Sequence, residues 1–274
     1  CRKKVKELSR DAVSETGLGR YEDKVLKNML VIEKTPGTEY LETRAMSGDN
    51  GLTLIEYAPY GVIGSITPCT NPSETIINNG IGMIAAGNAV VFNAHPLAKN
   101  ISAKTVRLMN EASISVGGPS GIAACLASPT IQTASELMKH PGIRLLVVTG
   151  GPAVVKAAMN SGKKVIAAGP GNPPAVVDET ADIEKAGVDI VNGCSFDNNI
   201  VCIVEKEVIA VRSVVERLKD VMKRNGAYEV SGRHLAMLEK ILVVDGHPGK
   251  DFVGKNASYI LKHIGISVPD SVRV

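Results

Sequence analysis

Cys202 is the residue in this chain best suited to covalent chemistry. It closes the run Ser195-Phe196-Asp197-Asn198-Asn199-Ile200-Val201-Cys202 and precedes the apolar run Val208 to Val211. A cysteine behind a polar Asp-Asn-Asn cluster suits the mouth of a fold. Its thiolate attacks carbonyls, and electropositive or amide-lined surroundings favour that form. The competing reading is a small buried hydrophobe, the usual fate of a free cysteine. Cys194 fits that role better, whereas Cys69 lies in a loop and stays in competition. A second feature is Val147-Val148-Thr149-Gly150-Gly151-Pro152, which reads as a strand, a glycine turn and a helix start. Glycine lets backbone approach a phosphate, and a helix amino end favours negative charge. The turn is not a complete GxGxxG, because position 155 is Val, and glycine can stand there for backbone reasons alone. A third is Pro68-Cys69-Thr70-Asn71-Pro72, whose Thr70 and Asn71 offer neutral donors for an oxyanion; its plainer reading is a helix-capping loop. Nucleophile and dinucleotide-type turn together point to redox chemistry on a carbonyl.

His95, before Pro96, is placed at a strand end. His140, His234, His247 and His263 read as surface or helix-end residues. Asp197 is placed to orient the Cys202 loop, and Glu205 is expected to face solvent. No Cys-x-x-Cys pair occurs and no histidine lies at metal-ligand spacing to a cysteine, so no metal is expected.

These residues need elements to hold them. Helical patterning covers Lys3 to Val13 and Glu22 to Glu33, and Thr53 to Tyr57 reads as a strand. Strands are then expected over Val62–Thr67, Ala89–Asn93, Ile122–Leu126, Ile143–Val148 and Lys164–Ala168. Between them lie helices from Ser73, read as a cap, to Ala86, from Asn100 to Ser115, from Thr130 to Lys139, and from Pro152 to about Asn160. Strands alternating with helices predict an α/β fold with a doubly wound parallel sheet. Ligands of such sheets bind beyond the carboxyl ends of the strands. Thr67–Pro72, Asn93–Pro96 and Thr149–Pro152 all fall there. The stretch Gly169-Pro170-Gly171-Asn172-Pro173-Pro174 marks a boundary. A second α/β region follows, with strands at Ala175–Val177 and Glu207–Val211 and helices at Asp182–Asn192, Val214–Lys223 and Arg233–Leu242. It has too few strands to close a sheet.

The bulk properties agree. The chain has 274 residues, 44% of them hydrophobic, yet only 3% aromatic and without tryptophan. Its core is therefore built from Ala, Val, Ile and Leu, as suits parallel strands buried on both faces. A net charge of +3 is too weak to imply a nucleic-acid partner. Five cysteines without a disulfide framework suit a reducing, cytoplasmic setting. No run is long and apolar enough for a membrane span.

At these residues the chain resembles the aldehyde dehydrogenase superfamily. Pro59-Tyr60-Gly61-Val62-Ile63-Gly64, Gly87-Asn88-Ala89-Val90-Val91 and Val148-Thr149-Gly150-Gly151 match its strands and cofactor turn in order, and Cys202 falls where the family keeps its nucleophile. Thr67 to Pro72, Phe92-Asn93-Ala94-His95-Pro96, Gly169 to Pro174 and Phe196 to Asn199 resemble the CoA-acylating branch, that of the propionaldehyde and acetaldehyde dehydrogenases of bacterial microcompartments.

The resemblance implies an NAD- and CoA-binding Rossmann-like domain over residues 1–172, with N-terminal helices and part of an oligomerisation arm. It implies the first part of a catalytic domain over 173–274, the chain being a portion of a longer protein. The implied reaction is oxidation of propionaldehyde or acetaldehyde by NAD to an acyl-CoA. Cys202 would be the nucleophile, with its own N–H and Thr70 or Asn71 holding the oxyanion; spacing between the prolines favours Thr70. The implied cofactor residues are Thr67, Pro68, Asn93, His95, Pro96, Thr149, Gly150, Gly151 and Gly169. A homo-oligomer, dimer or tetramer, inside a microcompartment and associated with its shell is implied as well. Hydrolytic relatives carry a glutamate base where this chain has Ala168, a difference that favours thiolysis over hydrolysis. A hydrolytic enzyme, a semialdehyde-phosphate reductase and a non-catalytic nucleotide-binding module remain the alternatives.

Overall fold

A computed structural model describes every residue except Pro170, so that part of the expected boundary stretch lies outside the described residues. The chain divides into two compact units. One comprises Cys1–Thr16 and Lys24–Gly169, the other Gly17–Asp23 and residues 170–274.

The first unit opens with helix α1 (Val5–Thr16), which buries Val5, Leu8, Ser9 and Ala12. That spacing is one face of a 3.6-residue repeat. Helix α2 (Tyr21–Lys34) follows, its first turn belonging to the other unit. A hairpin of β1 (Arg44–Gly48) and β2 (Gly51–Ile55) is exposed along its length. Its first strand escapes the sequence reading, because Arg-Ala-Met-Ser-Gly has neither β-branched residues nor alternation. The remaining elements alternate: β3 (Val62–Ile66), α3 (Pro72–Ala85), β4 (Ala89–Asn93), α4 (Lys99–Ser115), β5 (Ala123–Cys125), α5 (Ile131–Lys139), β6 (Ile143–Thr149), α6 (Pro152–Met159) and β7 (Lys164–Ala168). Helix α3 is capped by Asn71, not Ser73, and Pro72 takes its first turn, where a missing N–H costs nothing.

The five strands form one parallel sheet in the order β5-β4-β3-β6-β7. Each face carries its own core. Ile63, Val90, Phe92 and Leu145 pack with Ile76 and Met83 of α3 and Val106 and Met109 of α4. Ile66, Leu146 and Val148 pack with Ala134, Leu137 and Met138 of α5 and Ala158 of α6. Fully buried side chains such as Ile76, Phe92 and Leu146 each contribute about 1.5–3 kcal/mol relative to exposure. Ile143 and Leu145 serve opposite faces although two residues apart. The register slips there, Val62 pairing Ile143 and Ile63 pairing Leu145, and one extra residue reverses the facing of a strand.

In the second unit β8 (Pro174–Val177) pairs in parallel with β9 (Glu207–Ala210) and with no other strand among the described residues. Helices α7 (Ile183–Ser195) and α8 (Val215–Arg224) cover one face through Val177, Ile183, Ile190, Leu218 and Val221. Val176 and Ile209 leave the other face exposed. Helix α9 (Arg233–Leu242), a short pair β10 (Val243–Val244) and β11 (His247–Pro248), and α10 (Ala257–Lys262) complete it. Among the described residues no helix is long and apolar enough to cross a membrane.

Candidate active site

In the first unit the motifs collect at one edge of the sheet. The chain runs outward from β3 through β4 to β5, then returns to β6 on the far side of β3. The direction reverses between β3 and β6, which is where open α/β sheets bind ligands. Thr67 to Asn71 follow β3, Asn93 ends β4 and Ala94 to Pro96 follow it, Gly150 and Gly151 follow β6, and Gly169 follows β7.

Gly150 donates its N–H to the Ala168 carbonyl (3.1 Å), and a Cβ added there would lie 2.6 Å from Val154 Cγ1. A larger residue there would have to displace that Val154 methyl group. Gly151 caps α6 without a side-chain hydrogen bond, and a Cβ there would meet open space. The helix amino end is thus bare and accessible to an anion. Beside it an apolar groove of about 600 Å³ runs between α5 and α6, lined by Ile131, Ala134, Met138, Ala153, Val154 and Ala157. Thr67 is buried, and its Oγ1 has no hydrogen-bond partner among the described residues. A buried hydroxyl without a partner at the switch point, with open space at Gly151 and Gly169, fits a dinucleotide.

Asn93 is buried, and its Oδ1 accepts from the Thr133 hydroxyl (2.8 Å), so part of its hydrogen-bonding capacity ties β4 to α5. His95 caps the turn Pro96–Ala98, its Nδ1 accepting from the Leu97 N–H (3.2 Å). Burial holds its pKa below the ordinary value of 6.5. Folding therefore favours the neutral ring, and stability from it is full above the ordinary value and lost as pH falls toward the lower, folded one. Melting temperature should drop in mild acid, and His95→Asn, which keeps a capping oxygen, should flatten that part of the profile. An unchanged profile in the variant would remove His95 from the account.

The loop Pro68–Pro72 is held from beneath by two lysines that the sequence reading missed. Lys24 is fully buried and donates to the Thr70 carbonyl (2.7 Å). Lys27, also buried, donates to Asn71 Oδ1 (2.5 Å) and lies 3.7 Å from Glu74. Their three-residue spacing on one face of α2 was the available signal.

In the second unit Cys202 is partly exposed and sits in a turn. Asp197, Asn198 and Asn199 take φ values of 49°, 52° and 62°, three successive left-handed residues. This conformation is rare for residues with a Cβ, and each is held in place. Asp197 is buried, its N–H donating to Asp23 Oδ2 (2.9 Å) and its Oδ1 accepting from the Arg20 N–H (2.8 Å). Gly19 is required beside it, since an added Cβ would lie 2.0 Å from that Oδ1. Asn198 Nδ2 donates to the Gly254 carbonyl and to Asn256 Oδ1 (both 2.9 Å). Asn199 Nδ2 donates to the Cys194 and Glu205 carbonyls (2.6 and 3.0 Å). Lys206 donates to the carbonyls of Asn199 and Val201 (2.7 and 3.1 Å). The Cys202 carbonyl accepts from the Asn172 N–H (3.0 Å). The Cys202 N–H has no protein acceptor among the described residues. Glu205 does not face solvent as expected. It is half-buried, with a carboxylate oxygen packed on Gly193.

This pairing of a braced cysteine turn with a doubly wound sheet has counterparts. Residues 25–231 match the model of the aldehyde dehydrogenase family. The chain belongs to that family. It is 48% identical, over 99% of its length, to the acetylating acetaldehyde dehydrogenase EutE of Salmonella typhimurium, of which it spans 60%. It superposes with a TM-score of 0.96 on the propionaldehyde dehydrogenase of Rhodopseudomonas palustris, solved with bound propionyl-CoA, at 53% identity over 98% of this chain and 60% of that one. The propionaldehyde dehydrogenase of a fucose-utilisation microcompartment in Clostridium phytofermentans superposes at 0.97, with 51% identity over 99% of this chain and 63% of that one. The chain thus spans about 60% of the length of such aldehyde dehydrogenases.

Among the thiols of this family member, burial pushes Cys125 up to about 11. Burial, with the Glu205 charge, does the same to Cys194. Burial also raises Cys69, against the Lys24 charge. No cluster of three or more His, Cys, Asp or Glu side chains able to hold a metal occurs among the described residues.

Proposed function

We propose that the protein oxidises a short-chain aldehyde, propionaldehyde or acetaldehyde, to an acyl-CoA with NAD. The observation that carries the reading is Cys202, partly exposed three residues after the braced left-handed segment Asp197–Asn199, its own N–H without an acceptor among the described residues. Supporting it is close likeness to acetylating and propionaldehyde dehydrogenases over nearly the whole chain.

Bound NAD supplies the hydride acceptor. Thr149, the amides before α6 and the bare turn Gly150-Gly151 would hold its pyrophosphate, with Thr67, Pro68, Asn93 and Gly169 around it and His95 and Pro96 beside the adenosine. The groove between α5 and α6 suits the adenine. The Cys202 thiolate adds to the aldehyde carbon, and the oxyanion is stabilised by the Cys202 N–H and the Thr70 hydroxyl. Loss of hydride from that carbon leaves a thioester on Cys202. The CoA thiolate then attacks the thioester and expels the Cys202 thiolate, so one acyl transfer becomes two easier steps. Ala168, at the end of β7, offers no carboxylate to activate water in the thiolate's stead.

The same reading assigns residues 1–172 to cofactor binding and 173–274 to catalysis. It also proposes a homo-oligomer that works in the cytoplasm, within a bacterial microcompartment and against its shell; the Clostridium relative supports the compartment.

The test is NADH production from propionaldehyde and NAD in the intact protein, with and without CoA. Turnover should depend on CoA. Equal turnover in its absence would overturn the acylating assignment in favour of hydrolysis.

A further inference from the structure

The loop before α3 contains a hydrogen-bond chain whose direction is imposed from one end. Lys27 Nζ is the anchor, 2.5 Å from Asn71 Oδ1. An ammonium can only donate, so the amide oxygen of Asn71 must face it and the amide nitrogen must face away. That nitrogen donates to Thr70 Oγ1 at 3.3 Å. Thr70 Oγ1 is thereby an acceptor on its inner side. Its own hydrogen has no acceptor among the described residues, and the side chain is partly exposed at the carboxyl edge of the sheet. Lys24 clamps the Thr70 carbonyl at 2.7 Å, which fixes the backbone beneath the hydroxyl. Glu74 of α3, 3.7 Å from Lys27 and buried, keeps that ammonium of α2 paired.

We infer that Lys27, acting through Asn71, is a positioning residue that compels Thr70 to present a hydroxyl hydrogen, not a lone pair, to the substrate oxygen. The inference rests on the oxyanion role proposed above for Thr70. An orienting chain of this kind matters for rate because a donor already aimed at developing charge need not reorganise as the carbonyl oxygen becomes an anion. It also assigns Asn71 a task other than direct contact. One of its N–H groups is spent inside the loop, and its oxygen is spent on Lys27.

The decisive variant is Asn71→Asp. It keeps the shape of the loop and the contact with Lys27, but both carboxylate oxygens only accept. The Thr70 hydroxyl then turns inward to donate to it, and its lone pairs face the substrate. In the intact protein kcat for CoA-dependent NADH formation should fall about 10²–10³-fold, the loss typical of one oxyanion donor, with KM for NAD and aldehyde little changed. Thr70→Val should fall by a similar factor, and Thr70→Ser should restore most of the lost turnover. The double variant Asn71→Asp/Thr70→Val should be no slower than Thr70→Val alone, because both changes remove the same donor. Lys27→Met, which frees the amide to flip, should show a smaller loss that also vanishes in the Thr70→Val background.

Asn71→Asp with wild-type kcat, or losses that multiply in the double variant, would overturn the inference and leave the lysines as packing groups. Melting temperatures within a few degrees of wild type separate lost orientation from lost folding. If the wild-type protein makes no NADH with CoA present, it is the enzymatic reading that fails. If it does, and only Thr70→Val is silent, the failure is confined to this donor chain.

Discussion

Replacing Cys202 by alanine is expected to abolish acyl-CoA formation, with kcat reduced by about 10⁴-fold or more, as when a covalent nucleophile is removed. Alanine leaves the turn, its hydrogen bonds and the free N–H in place, so folding should be retained. The comparison that gives the result its meaning is Cys194→Ala. Cys194 is buried on α7, where its thiol donates to the Val191 carbonyl (3.7 Å). Its pKa of about 11 leaves about one thiolate in a thousand at pH 8, too few for an efficient nucleophile. Cys125 has the same handicap. Iodoacetamide at pH 8, followed by peptide mass spectrometry, should therefore label Cys202 ahead of Cys194 and Cys125. Activity that survives Cys202→Ala would move the nucleophile elsewhere. Cys69 would be next, since it stands in the loop at the carboxyl edge of β3.

The second large effect is expected at Asn199. Asn199→Ala removes two side-chain donors, leaving the Cys194 and Glu205 carbonyls without them, at about 1 kcal/mol each. It also places alanine at φ 62°, which costs a further 1–2 kcal/mol or so. Asparagine tolerates that conformation because its amide bonds locally. The stability of the unit should fall by about 3–4 kcal/mol, measured by urea unfolding. Asn199→Gly relieves the backbone strain while losing the same bonds, and should fall by about 2 kcal/mol. Equal losses in the two variants would show that the left-handed backbone stores no strain at this position. Turnover should decline in both, because Lys206 grips the Asn199 and Val201 carbonyls and the cysteine follows directly on that clamp.

Much of the fold could be read from local pattern. Strand β4 and helix α9 begin and end where periodicity places them, because a run such as Ala-Val-Val-Phe-Asn between glycine and proline punctuation has few alternatives. The exposed strand β1 was invisible for the opposite reason. Arg-Ala-Met-Ser-Gly carries no β-branched residue and no alternation, whereas the equally exposed β2 alternates Leu52 and Leu54. Ser73 as a cap failed because Asn71-Pro72 starts the helix two residues earlier.

By itself the sequence determined the alternation of strands and helices, which residues lie at the carboxyl ends of the strands, and which cysteine stands in a polar turn. These follow from spacing along the chain, and spacing is local. Tertiary structure alone decided what the polar atoms at those positions do. Lys27 meets Asn71 across 44 residues, Thr133 meets Asn93 across 40, and Asp23 meets Asp197 across 174. No period reports such meetings, because each depends on how a helix docks. Docking is selected by the burial of apolar faces, and the polar partners are brought together only once that burial is complete.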